Sequence, residues 1–285
     1  MSIKISGTVV IDDSRAISGT SVTASSFIGT AATGALNMPT GTTAQRPVPA
    51  AGMIRMNSTT GLPEWYSSAY GFWIPFNSSR PVPNIGDSFQ GGYFAGYISY
   101  AGTGVASHYL IVSPKASGET TAAWDSTGGG STTGATSLYD GAANTAAIPA
   151  DARYAAAQFV KGLSIGGYTD WYIPAKNELE VAYYFLKNVT QNNYSPGTYG
   201  SNANAVSPEP ISTTYTATVP GQTTVTAFQV GNSEAFADYY FWSSTEYSAT
   251  YSWNQYFYSG YPGYQDYYYT KTNALYVRAF RRLAI

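Results

Sequence analysis

The sequence predicts an α+β fold in which a small all-β module precedes a larger mixed domain. Three observations carry this expectation. The runs Met53-Ile54-Arg55-Met56-Asn57 and Leu62-Pro63-Glu64-Trp65-Tyr66 flank a turn at 58–61, the pattern of a β-hairpin. Two later segments space their apolar residues as helices do. From Tyr240 to Ile285 the chain becomes a dense run of aromatic and short polar residues, which suits strands.

Taken in order, residues 1–45 hold one alternating stretch, Ile3-Lys4-Ile5 running into Val9-Val10-Ile11, and then thin to Ser, Thr, Ala and Gly. Such a segment buries too little surface to fold alone, so it is expected to attach to other chains or to oligomerise. Residues 46–80 form the small β-module, and 81–84, within the proline-marked stretch 77–84, form a linker. The larger domain spans 85–285. It opens with a turn and strand over 86–98 and a buried strand over 108–113. Asp151 is placed to cap a first helix whose stripe is Ala152, Ala155, Ala156, Phe159, Val160 and Leu163. Trp171-Tyr172-Ile173 is a short strand, and Pro174 starts a second helix with the stripe Leu179, Ala182, Tyr183 and Leu186. The polar stretch 188–235 is too long for a plain loop and is expected to carry function or minor strands of its own.

Composition narrows the function. Charged residues are 11% of the 285, less than half of the usual fraction of about a quarter, while tyrosine reaches 27 and glycine 29. A surface kept soluble by neutral hydrogen-bonding groups resembles that of antibody-type binding loops, where Tyr gives contact area at low entropic cost. The net charge of −2 offers no footprint for nucleic acid. No apolar run is long enough to span a membrane, and the N-terminus lacks an apolar signal core, so synthesis in a cytoplasm is expected. With no cysteine and a single histidine, His108, triads and zinc sites have no material. His108 reads as a packed residue, and Glu178 and Glu180, two apart on a helix, are a poor acid/base pair. A glycosidase needs only two carboxylates, which leaves Asp125, Asp140, Asp238 and Asp266 open. No cofactor or metal is expected.

The C-terminal region carries the candidate site. From Tyr239 to Tyr276 lie 12 tyrosines. Strand parity over 253–258 sets Trp253, Gln255 and Phe257 on one face, with Trp253 and Phe257 as core residues. It turns Asn254, Tyr256 and Tyr258 outward. The turn-rich 261–266 adds Tyr261, Tyr264 and Asp266, and Tyr251 and Tyr268 complete the set of expected surface-binding contacts. The alternative is that these rings pack on neighbouring subunits.

Four pieces of the larger domain together resemble the C-terminal domain family first described in a Legionella collagen-like adhesin. They are Gly86-Asp87 with Gly91-Gly92; Asp170-Trp171-Tyr172-Ile173-Pro174 with Asn177-Glu178-Leu179; Trp242-Ser243-Ser244-Thr245-Glu246; and Tyr276-Val277-Arg278-Ala279-Phe280-Arg281. The resemblance implies a C-type-lectin-like domain with two helices, a twisted antiparallel sheet and long loops, of the kind used by phage tail proteins and bacterial adhesins. Trp171, Trp242, Glu246 and Arg278 would then be structural, with Glu246 and Arg278 forming an ion pair that pins strand order. The segment 41–76 resembles a β-module of phage tail fibres, and the last 45 residues resemble the variable region of retroelement-diversified receptor-binding proteins. Together these imply a homotrimeric virion subunit at a tail tip or fibre, binding a host glycan or protein receptor and docking to other virion proteins through its N-terminal module. The alternatives are a structural fibre or capsid-decoration protein and a glycan depolymerase.

Overall fold

The computed structural model describes residues 38–48, 50, 52–67, 72–76, 83–128, 133–195 and 199–285, with two further N-terminal strands. Most of the expected attachment segment and the expected linker residues 81–82 lie outside the described residues. Strands β1 (Ile3–Ile5) and β2 (Thr8–Val10) pair antiparallel. A four-stranded sheet follows, made of β3 (Thr40–Gly41), β4 (Ile54–Asn57), β5 (Leu62–Ser67) and β6 (Phe72–Pro75) in that order. The β4–β5 hairpin falls where the sequence places it, with Ile54 opposite Trp65.

Among its described residues this sheet buries the apolar side chains of Trp73 and Ile74, and beside them lies a buried polar knot. Glu64 is buried, accepts from Arg46 Nε and Nη2 at 3.1 and 2.7 Å, and also accepts from Asn57 Nδ2 at 3.0 Å. The Arg46 hydrogen bonds hold the Glu64 carboxyl below its ordinary range against the opposing effect of burial. Arg55 donates to the backbone carbonyls of Gln45 and Thr42.

The chain then runs through β7 (Ser88–Phe89), β8 (Gly92–Ile98), β9 (His108–Val112), α1 (Lys115–Gly118), β10 (Glu119–Ala123), α2 (Gly141–Ala147), α3 (Ala155–Lys161) and α4 (Lys176–Leu186). After the polar stretch come β11 (Tyr240–Glu246), β12 (Ser252–Tyr256), β13 (Gln265–Asp266), β14 (Ala274–Arg278) and β15 (Phe280–Ala284). One sheet has the order β15-β9-β8-β7 and the other β10-β14-β11-β12-β13. The architecture is α+β, dominated by sheets.

Strand β9 shows how the core divides. Tyr109 and Ile111 enter one apolar cluster with Trp124, Trp171, Trp242 and the α3 residues Ala156, Ala157 and Val160. Leu110 and Val112, on the opposite parity, enter a second cluster with Tyr183 and Leu186 of α4 and with Phe241, Phe257 and Phe280. A strand covered on both faces reads as the continuous apolar run seen in the sequence.

Several expectations are corrected. The first long helix does not start at Asp151: its carboxylate accepts from Arg153 N at 2.9 Å in a turn, and α3 begins only at Ala155. Ala152 and Leu163 therefore fall outside that helix. Trp171-Tyr172-Ile173 makes a single bridge, Tyr172 to Phe280, rather than a strand. Two helices beyond those expected are present, α1 and α2, the second capped by Asp140 Oδ1 accepting from Ala143 N at 2.8 Å. The stretch 188–235 builds no strand among its described residues and carries only a short 3-10 turn at Thr226–Phe228.

The expected Glu246–Arg278 ion pair is not formed. Glu246 accepts from Lys271 Nζ at 2.6 Å, and Arg278 spans Glu119 at 3.0 Å and Glu234 at 2.9 Å. Both groups are structural, but each belongs to its own buried network. Sequence pattern alone could not choose between Arg278 and Lys271 as the cation facing Glu246.

Candidate functional site: a tyrosine recess around Asp266

Strands β12 and β13 are antiparallel, with Asn254 opposite Asp266 and Gln255 opposite Gln265. The connection between them folds back tightly: Tyr256 N donates to Tyr264 O at 2.9 Å, and Gly263 N donates to Tyr256 O at 3.0 Å. Gly263 adopts φ 85°, and a Cβ there would lie 3.0 Å from the Tyr183 ring, so glycine suits both backbone and space. The polar stretch docks on this loop through Tyr194 N, which donates to Pro262 O at 2.8 Å.

That docking brings Tyr194 to the wall of a recess of about 600 Å³. The Tyr194 ring meets Tyr261 at 5.3 Å and 88° and Tyr264 at 5.1 Å and 76°. Tyr240 of β11 also lines it, 4.2 Å from Tyr256 and 5.0 Å from Tyr269. Tyr268 stands at the rim, 68% exposed, and Tyr261 is 52% exposed. Asp266 is the carboxylate of the recess. It accepts from Asn254 Nδ2 at 2.7 Å, from the Tyr256 hydroxyl at 2.5 Å and from Tyr268 N at 3.2 Å. A second recess of about 310 Å³ shares Tyr264, Asp266 and Tyr268 and adds Trp253, Tyr267 and Lys176, whose ammonium lies 5.0 Å from the Trp253 ring.

Burial pushes up the phenol pKa values of Tyr256, Tyr240 and Tyr264, reinforced by hydrogen bonds to Asp266, Tyr269 and Tyr199 respectively. These phenols stay protonated near neutral pH. The recess thus offers apolar rings, neutral hydroxyls and one carboxylate.

Five of the eight expected contact residues line it: Tyr256, Tyr261, Tyr264, Asp266 and Tyr268. Asn254 lies beside Asp266 but is 2% exposed, and Tyr256 is 7% exposed, so neither turns outward to solvent as strand parity suggested. Tyr251 bridges Thr270 and Tyr258 rests on Tyr240, both half-buried and outside the lining. Phe257 is fully in the core, whereas Trp253 is only half-buried and faces the second recess. Tyr194, Tyr240 and Tyr269 were not singled out from sequence. Tyr194 sits in a stretch without periodicity, but Tyr240, next to the core residue Phe241, was accessible to the same alternation argument.

The other carboxylates raised from the sequence have structural partners. Asp125 binds Arg153 at 2.6 Å, Asp140 caps α2 and meets Arg282, and Asp238 accepts from Ser259. His108 accepts from or donates to Ser107 Oγ at 2.9 Å and lies against Tyr100, and burial lowers its pKa. Among the described residues no group of three or more His, Cys, Asp or Glu side chains could hold a metal ion. No helix there is long and apolar enough to cross a membrane. The sequence matches no protein-family model and no curated protein.

Proposed function

We propose that this chain is a receptor-binding subunit of a phage virion, at a tail tip or fibre, whose larger part is a C-type-lectin-like display domain. The observation that carries the reading is the tyrosine recess, six of whose eight lining residues come from the C-terminal segment that resembles a diversified receptor-binding region. Rings exposed at a rim around a concave site give contact area with little entropy to lose, as in antibody paratopes. The site works by binding: a single carboxylate in the recess is too few for glycosidic acid/base chemistry. Trimerisation through the N-terminal part would raise a weak single-site affinity by avidity.

The test uses the exposed rim, because truncating the buried Tyr256 would disturb packing and its Asp266 hydrogen bond. Tyr261→Ala/Tyr268→Ala is expected to abolish binding of the purified protein to susceptible bacterial cells while shifting Tm by no more than a few degrees. Undiminished binding by the folded double variant would move the receptor site elsewhere. A wild type that binds no cell but still assembles on virions would favour a structural fibre role, with the exposed rings as subunit contacts.

A further inference from the structure

The buried carboxylates among the described residues divide in two. Glu64, Asp125, Glu234 and Glu246 each pair with an Arg or Lys, whereas Glu178, Glu180, Glu209 and Asp266 do not. Of these last four only Asp266 lines the tyrosine recess. Asp266 is 4% exposed, lines the recess, and has only neutral donors: Asn254, the Tyr256 hydroxyl and Tyr268 N. No ion pair among the described residues includes it. Its neighbour Asn254 keeps a further buried acceptor, Oδ1, with no donor. A carboxylate without a cationic partner therefore lines a site walled by phenol rings at steep mutual angles, 76° for Tyr194–Tyr264 and 85° for Tyr256–Tyr264.

Resting on the adhesin reading above, we infer that the recess recognises an organic ammonium group, quaternary or primary, on the receptor. Aromatic faces carry negative quadrupole potential and attract such cations, most of all where water is excluded. Asp266 supplies the countercharge, and the recess of about 600 Å³ is ample for a trimethylammonium headgroup or an amino-sugar ring. A hard divalent ion does not fit, since it needs six or more oxygen ligands and the phenols here are held protonated. An anion would meet Asp266. A neutral sugar would leave that charge unmatched. The adjoining recess holds an internal example of the same contact, the Lys176 ammonium against the Trp253 ring.

The test is calorimetric titration of the full chain with choline and with its neutral carbon isostere 3,3-dimethylbutan-1-ol, alongside glucosamine and glucose. Choline, glucosamine or both are expected to bind about tenfold or more tighter than the neutral counterpart, and Asp266→Asn to erase that preference. Preference for choline assigns a quaternary headgroup, and preference for glucosamine assigns an amino sugar. Equal binding of charged and neutral ligands by wild type, or no binding of either cation, overturns the inference. The wild-type comparison needs no variant, so misfolding of Asp266→Asn does not blunt it. Cell adhesion measured in parallel separates the two readings. Adhesion lost in Tyr261→Ala/Tyr268→Ala but insensitive to both cations removes the ammonium assignment and keeps the adhesin. Tight choline or glucosamine binding without adhesion does the reverse.

Discussion

Glu246→Gln is expected to lower unfolding stability by about 3–5 kcal/mol, read as a fall in the urea midpoint and in Tm. The reason is the cation it would strand. Lys271 has a fully buried side chain, its ammonium donates to Glu246 Oε1 at 2.6 Å, and its other neighbour is the Trp124 ring at 4.3 Å. Glu246 also accepts from Thr133 N, Thr133 Oγ1 and Gly134 N, so it fastens the 133–135 loop to β11. A neutral amide keeps the shape but leaves an uncompensated buried ammonium, the costly half of breaking an internal ion pair. Adding Lys271→Met to Glu246→Gln is expected to recover much of the loss, because both charges are then gone. A loss below about 1 kcal/mol for Glu246→Gln would mean that water reaches the pair. Arg278 belongs to a separate network with Glu119, Glu234 and Ser113 O, and shares no partner with Glu246. Arg278 therefore offers no rescue for Glu246→Gln.

The sequence carried much of this architecture where one periodicity dominates. The β4–β5 hairpin, the two-faced strand β9 and the apolar stripe of α4 each follow from local spacing, and each lies where that spacing puts it. Helix α2, Gly141–Ala147, has no such stripe. It is held by side-chain hydrogen bonds to distant groups: Gly141 N donates to Glu178 Oε2, and Asn144 Nδ2 donates to Ser244 Oγ. The outward assignment of Asn254 and Tyr256 assumed a sheet with one face in water. The polar stretch docks on the β12–β13 connection, and Asp266 accepts from both Asn254 Nδ2 and the Tyr256 hydroxyl, so polar residues are buried on both parities of β12. A covering segment without periodicity cannot be placed by pattern, which is also why Tyr194 went unseen. The position of the site was legible from tyrosine density, but its inner and outer members were not.

That same stretch is tied to α4 by a pair of acids, and Glu209→Gln is expected to make the protein more stable at pH 8 while changing little near pH 5. Glu180 is 1% and Glu209 2% exposed, and Asn202 Nδ2 bridges them, 2.7 Å from Glu180 Oε2 and 3.1 Å from Glu209 Oε1. The Tyr215 hydroxyl donates to Glu180, while Glu209 Oε2 is buried with no partner. Burial pushes both carboxyls up, and for Glu209 the neighbouring Glu180 pushes further. The charged or titratable groups around them are Lys176, which favours ionised Glu180, and the phenols of Tyr183, Tyr184 and Tyr215. A carboxyl whose folded pKa lies above its ordinary 4.5 binds its proton more tightly in the native state. Its stabilising contribution is complete below 4.5 and is lost as pH rises through the raised folded value. Glu178, pushed up to about 7 by burial, acts in the same direction over that window. Wild-type stability should therefore fall from pH 5 to 8, and Glu209→Gln should lessen the fall by about 1–3 kcal/mol, since an amide needs no proton and can donate to Glu180. Urea titrations at pH 5, 6, 7 and 8 read this directly. A gap that fails to widen with pH would show that the pKa of the Glu209 carboxyl is not raised in the folded protein. The stretch they anchor also carries Tyr194, the wall that meets Tyr261 and Tyr264, so the same titration is expected to reach the recess. Adhesion by wild type should then weaken at alkaline pH more than adhesion by Glu209→Gln.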